Sequence, residues 1–145
     1  MEITPRCRMA LIYAKDSLAR FGHSHVSSAH LVLGLLTLHG GVADNLLRKA
    51  GLSVESVEGY LSTRRSSSEE STIQDGVPVG SSARLAFERA EAETHARQTT
   101  YLGIEHLLLG ILAEERGEAT DLFASVHIDR DKMRRSVVEE ILSRA

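Results

Sequence analysis

Apolar residues return along most of this chain at intervals of three and four. After Thr4-Pro5, an N-cap residue followed by a proline at the first helical position, Cys7, Ala10, Leu11, Ala14, Leu18 and Phe21 line one face of an amphipathic helix. Ser27 or Ser28 caps a second helix reaching to about His39. Its Leu31–Leu36 stretch is apolar nearly all round, which places it in the centre of a bundle. Beyond Gly40-Gly41 a short third helix carries Val42, Ala43, Leu46, Leu47 and Ala50 and stops at Gly51, a residue suited to a left-handed C′ position. Ser53 then caps a fourth, with Val54, Val57 and Leu61 on its apolar side.

The pattern then starts again. An advance of 76 positions lays HLVLGLL at His30–Leu36 onto HLLLGIL at His106–Leu112, and Ala10, Ala14, Gly41, Ala43 and Leu46 onto Ala86, Ala90, Gly117, Ala119 and Leu122. A register held without a gap marks an internal duplication. In the second copy Ser81 or Ser82 opens a helix with Ala83, Ala86, Phe87 and Ala90. The central helix holds Glu105–Leu112, Gly117 breaks it, Leu122 and Phe123 follow, and Asp129 caps a last helix with Met133, Val137, Ile141 and Leu142. The expected fold is all-α, with two pseudo-symmetric four-helix repeats and about eight helices in one domain. Repeat one covers 3–63 and repeat two 81–144.

Between the copies, residues 64–80 are rich in Ser, Glu, Gly and Pro and include RRSSSEES, too polar to order by burial, so they read as a flexible linker. No strand-like alternation of useful length stands out. Gly34 and Gly110 sit inside strong helices, where each costs about 1 kcal/mol relative to Ala. Their recurrence at one repeat position predicts a close helix–helix approach there.

Composition narrows the function classes. Charged residues make up 26% with a net charge of −3, which gives no basic excess to hold nucleic acid or an anionic membrane. The single cysteine, Cys7, has no partner for an internal disulfide and fits a reducing, cytoplasmic setting. The N-terminus carries Glu2 and Pro5 where a signal peptide needs basic and then apolar residues, and no run reaches the roughly 18 apolar residues of a membrane span. Lysines occur only at Lys15, Lys49 and Lys132, none after a glycine, so a Walker A phosphate loop is missing from these residues.

The stretches Ile3-Thr4-Pro5-Arg6, Gly22-His23 and His30–Leu36, together with Tyr101–Leu112, resemble the two repeats of the Clp N-terminal (Clp repeat) domain family, as found in ClpC and ClpA unfoldases. The resemblance spans nearly the whole chain outside the linker. It implies an all-helical double repeat that receives adaptors and substrates for a AAA+ motor, here without the motor. It also implies two related phosphoarginine sites, each built from the Thr that starts a repeat and the Glu before the His-Leu-Leu run. A carboxylate there pairs with the guanidinium, while a hydroxyl and a helix N-terminus receive the phosphate. Repeat one keeps Thr4 but has Ala29 in place of the Glu; repeat two keeps Glu105 but has Gly80 in place of the Thr. Each site is therefore expected to have lost half of its pair. The family's Phe before each Thr is replaced by Ile3 and Val79, which leaves an apolar patch without aromatic anchors.

No catalytic residue is assigned and no cofactor is implied. His23-Ser24-His25 lacks a carboxylate or cysteine at ligand spacing, so no metal site is expected. His30 and His106 read as hydrogen-bonded structural histidines, and Cys7, which aligns with Ala83, as a small buried hydrophobe. Asp129, Arg130, Asp131, Lys132, Arg134, Arg135, Glu139 and Glu140 mix both signs on the outer face of the last helix. The functional expectation is a binding module for a protein or peptide (a Clp adaptor, substrate or Clp subunit) that regulates Clp-dependent proteolysis. The alternative is a decoy that sequesters small molecules or cyclic peptide antibiotics. Ile3, Thr4, Ala29, Val79, Gly80 and Glu105 are the candidate ligand-contacting residues.

Overall fold

A computed structural model describes residues 2–65 and 69–143. Positions 66–68 of the expected linker and position 144 at the end of repeat two lie outside the described residues. Two helical units follow one another. The first contains α1 (Pro5–Phe21), α2 (Ser28–Thr37), α3 (Val42–Lys49) and α4 (Val54–Ser62); the second contains α5 (Ser81–Ala96), α6 (Ile104–Leu112), α7 (Glu118–Ser125) and α8 (Arg130–Ser143). Pro5 and Ser81, Ser28 and Ile104, Val42 and Glu118, and Val54 and Arg130 open matching helices, every pair 76 positions apart.

Local chemistry sets these starts. Thr4 Oγ1 accepts the Cys7 amide at 3.1 Å, Ser53 Oγ accepts the Ser56 amide at 3.1 Å, and Asp129 Oδ1 accepts the Lys132 amide at 3.1 Å. Helix α1 ends at Gly22, whose φ of 68° closes the last turn in the left-handed conformation. Helix α2 packs against α1 and α6 against α5, and the two central helices also meet each other. From Ser28 to Leu36 every α2 position is buried, and from Ile104 to Leu112 only Glu105 is not.

The eight helices bear out the all-α expectation, and among the described residues four short strands accompany them: β1 (Glu2–Ile3), β2 (Thr72–Gln74), β3 (Val77–Val79) and β4 (Tyr101–Leu102). Strands β2 and β3 form an antiparallel hairpin within the segment expected to be linker. Asp75 (φ 49°) and Gly76 (φ 83°) make the two-residue turn, an Asp-Gly pair suited to positive φ at both positions. Val77 and Val79, though outnumbered by polar neighbours in the sequence, are both buried in the core and order this part of the segment. Strands β1 and β4 pair in parallel, with Ile3 opposite Leu102, and a single parallel bridge joins Val26 to Val79. Val79 is the repeat counterpart of Ile3, and Val26 that of Leu102. The leading segment of each repeat therefore crosses to the other repeat and docks in front of its central helix.

Candidate functional site

This crossing decides which residues meet. Thr4 donates its amide to Leu102 O at 3.0 Å, which holds the N-terminus of α1 against the segment that leads into α6. Thr4 and Glu105 consequently face one open cavity of about 510 Å³, together with Arg6, Gly41, Tyr101 and Gly103. A Cβ on Gly103 would lie 3.1 Å from Glu105 Oε2 and 3.7 Å from Thr4 Cγ2, so the carboxylate and the threonine flank the same backbone position. Arg6 reaches across the floor, donating Nη2 to His39 O at 3.0 Å. Tyr101, 50% exposed, stands at the rim with its ring edge-on to His106 at 5.7 Å.

The two family-like residues that the chain keeps, Thr4 and Glu105, thus come from different repeats and stand at the same cavity. At the positions 76 residues away from Thr4 and Glu105 stand Gly80 and Ala29, neither of which has a polar side chain. The remaining expected contact residues lie deep: Ile3 is 5%, Val79 1% and Ala29 0% exposed. Ile3 and Val79 are the docked ends of the crossing strands and form no exposed apolar patch, because their side chains fill the core between repeats. Arg6, Tyr101 and Gly41 escaped the sequence reading. Only the tertiary crossing gathers them, although Tyr101 directly precedes the family-like Leu-Gly-Ile-Glu-His run.

The functional-looking histidines are structural in their contacts. His30 Nδ1 accepts the Ser27 amide at 2.9 Å, so its proton sits on Nε2 and is donated to His23 Nδ1 at 2.8 Å. His23 Nε2 in turn donates to Arg64 O at 2.9 Å. The relay fastens the start of α2 to the end of α4. Burial, followed by the nearby His23 and His25, pushes His30 down to about 3. His106 Nδ1 accepts the Gly103 amide at 3.0 Å, and burial likewise lowers its pKa, outweighing Glu105. Burial, then the charges of Asp75 and Glu105, pushes the Cys7 thiol up to about 12, which keeps it un-ionised. Among the described residues no three His, Cys, Asp or Glu side chains converge as metal ligands, and no helix is long and apolar enough to cross a membrane.

A family model described as the Clp repeat (R) N-terminal domain matches residues 2–126 and 81–144. Over 140 residues the chain is 29% identical to a probable ATP-dependent Clp protease ATP-binding subunit of Chlamydia pneumoniae, covering 97% of this chain and 17% of that protein. It is 25% identical over 138 residues to the negative regulator of genetic competence ClpC/MecB of Bacillus subtilis, covering 95% and 17%. The chain thus spans about 17% of the length of these curated relatives. Among solved structures, the N-terminal domain of the chaperone ClpD from Arabidopsis thaliana superposes with a TM-score of 0.79 at 18% identity, covering 97% of this chain and 94% of that one. The Hsp104 N-terminal domain from Candida albicans gives 0.76 at 15% identity, covering 96% and 91%.

Proposed function

The chain belongs to the Clp repeat N-terminal domain family, and from that premise we propose that it is a cytoplasmic, non-catalytic docking module that binds a protein or peptide in Clp-dependent proteolysis. An adaptor, a substrate or a Clp subunit is the partner. The carrying observation is that Thr4 of one repeat and Glu105 of the other share one open cavity at the N-terminus of α1. Such a cavity suits a phosphorylated guanidinium on a partner protein. Glu105 pairs with the guanidinium, while the Thr4 hydroxyl and the Arg6 guanidinium take the phosphate. Nothing in this reading requires bond-making by the chain.

Two measurements test it together. Calorimetric titration with phosphoarginine should show saturable binding that Glu105→Ala abolishes, and affinity capture from lysate should recover a Clp subunit, adaptor or degradation substrate only with the unaltered chain. A flat titration and a capture unaffected by Glu105→Ala would overturn the reading. Saturable binding of cyclic peptides with no Clp-related protein recovered would favour the decoy role instead.

A further inference from the structure

We infer that at the second of the two pseudo-equivalent sites Glu69 fills the N-terminus of α5 from within, so that the anion position left open beside Thr4 is taken there by the chain itself. The inference rests on the reading of the Thr4–Glu105 cavity given above.

Moving each residue of the open cavity by 76 positions locates its counterpart. Gly80 replaces Thr4, Ser81 replaces Pro5, Ala29 replaces Glu105 and His25 replaces Tyr101. The exchanges change both space and chemistry. Tyr101 is half exposed, whereas His25 is only 7% exposed. Its ring lies so close to the backbone that a Cβ on Gly80 would be 2.5 Å from His25 Cδ2. The same Cβ would be 2.5 Å from Glu69 Oε1, so no threonine fits at Gly80 while Glu69 holds its place.

Glu69 supplies an anion of the chain's own to the N-terminus of α5. Its Oε1 accepts the Ser81 amide at 3.1 Å, its Oε2 accepts the Ser81 hydroxyl at 2.9 Å, and His25 Nε2 lies 3.3 Å from Oε1. Burial opposes ionisation of this carboxyl, but the two Ser81 hydrogen bonds and the charge of His25 outweigh it and hold the pKa below the ordinary carboxylate value. The contrast with the open site lies in the donors. Pro5 has no amide hydrogen and Thr4 caps α1 with its own hydroxyl, so no internal carboxylate is called for there. At α5 the N-cap is Gly80, which has no side chain, and Glu69 occupies the position an external anion would take.

A purely structural cap would stabilise α5 without controlling access, and amide NMR of the full chain during titration with inorganic phosphate separates the two. In the unaltered chain the Arg6 and Cys7 amides should shift with phosphate while those of Ser81 and Ser82 stay still. In Glu69→Ala the Ser81 and Ser82 amides should shift as well, with about tenfold stronger apparent binding there, as expected when a competing charge-assisted contact is removed. Glu69→Gln, which keeps an acceptor for Ser81 and guards against loss of folding, should fall between the two. Equal response of Ser81 in the unaltered chain and Glu69→Ala would overturn the inference, as would an unmoved Ser81 in both folded variants. Failure of the Thr4–Glu105 reading is seen separately, as silence at Arg6 and Cys7.

Discussion

Gly34 in α2 lies against the carbonyl of Ala10 in α1 so closely that a Cβ there would stand 2.1 Å from the Ala10 oxygen; Gly110 has the same relation to Ala86. The recurring glycines are thus contact points between the first helix and the central helix of each repeat. The helix-propensity loss of about 1 kcal/mol at each is outweighed by the close packing it permits.

Gly34→Ala should therefore destabilise the chain despite alanine's better helix propensity, by about 1–3 kcal/mol or more, because the clash is with backbone and α1 must move away from α2. Gly110→Ala should behave alike. Chemical denaturation monitored by circular dichroism measures both, and unchanged midpoints would show that the helices separate freely at this contact.

Thr4 has two tasks that substitution can divide. Thr4→Ala should lose the cap on α1, costing about 1 kcal/mol of stability, and should also weaken phosphoarginine binding. Thr4→Ser should preserve both. Thr4→Asp restores an N-cap acceptor with no hydrogen to donate to a phosphate, so stability should return while ligand affinity stays low. Recovery of both properties in Thr4→Asp would mean that the residue serves only as a cap.

Cys7 should be silent toward thiol reagents in the native chain. Its side chain is fully buried and its pKa is raised to about 12 by burial and nearby carboxylates. Labelling with a chromogenic disulfide at neutral pH should track global unfolding, becoming immediate in denaturant. Fast labelling without denaturant would show that α1 opens independently.

His30 gives stability a pH dependence of definite sign. The unfolded histidine titrates near its ordinary value of 6.5, whereas the native one resists protonation down to about 3, so the unfolded chain binds more protons between these limits. Its contribution is complete above about pH 6.5 and is lost as pH falls, by up to about 1.4 kcal/mol per pH unit. His23 contacts it directly, and His25, Arg64, Arg65 and Glu118 line the adjoining cavity. His30→Gln places at the third helical position a residue that still accepts the Ser27 amide. Thermal midpoints between pH 7 and 4 should fall less steeply in this variant, and parallel curves would assign the dependence to other groups.

The duplication, the helix starts and the buried central helices were legible in the sequence, because each depends on signals within a few residues: caps, glycine breaks and three-to-four spacing around Leu31–Leu36 and Leu107–Leu112. The hairpin had its local signal too, in Asp75-Gly76, but the polar surroundings of Val77 and Val79 masked it. The pairing of sites was not legible at all. Thr4 and Glu105 meet because Ile3 pairs with Leu102, and the N-terminus of α5 is filled because Val79 pairs with Val26 while Glu69 folds back onto Ser81. Backbone hydrogen bonds between distant segments are formed by groups that every residue carries. No side-chain pattern announces which segments they join, so only the packing of one repeat against the other could decide that Thr4 and Glu105 share a cavity.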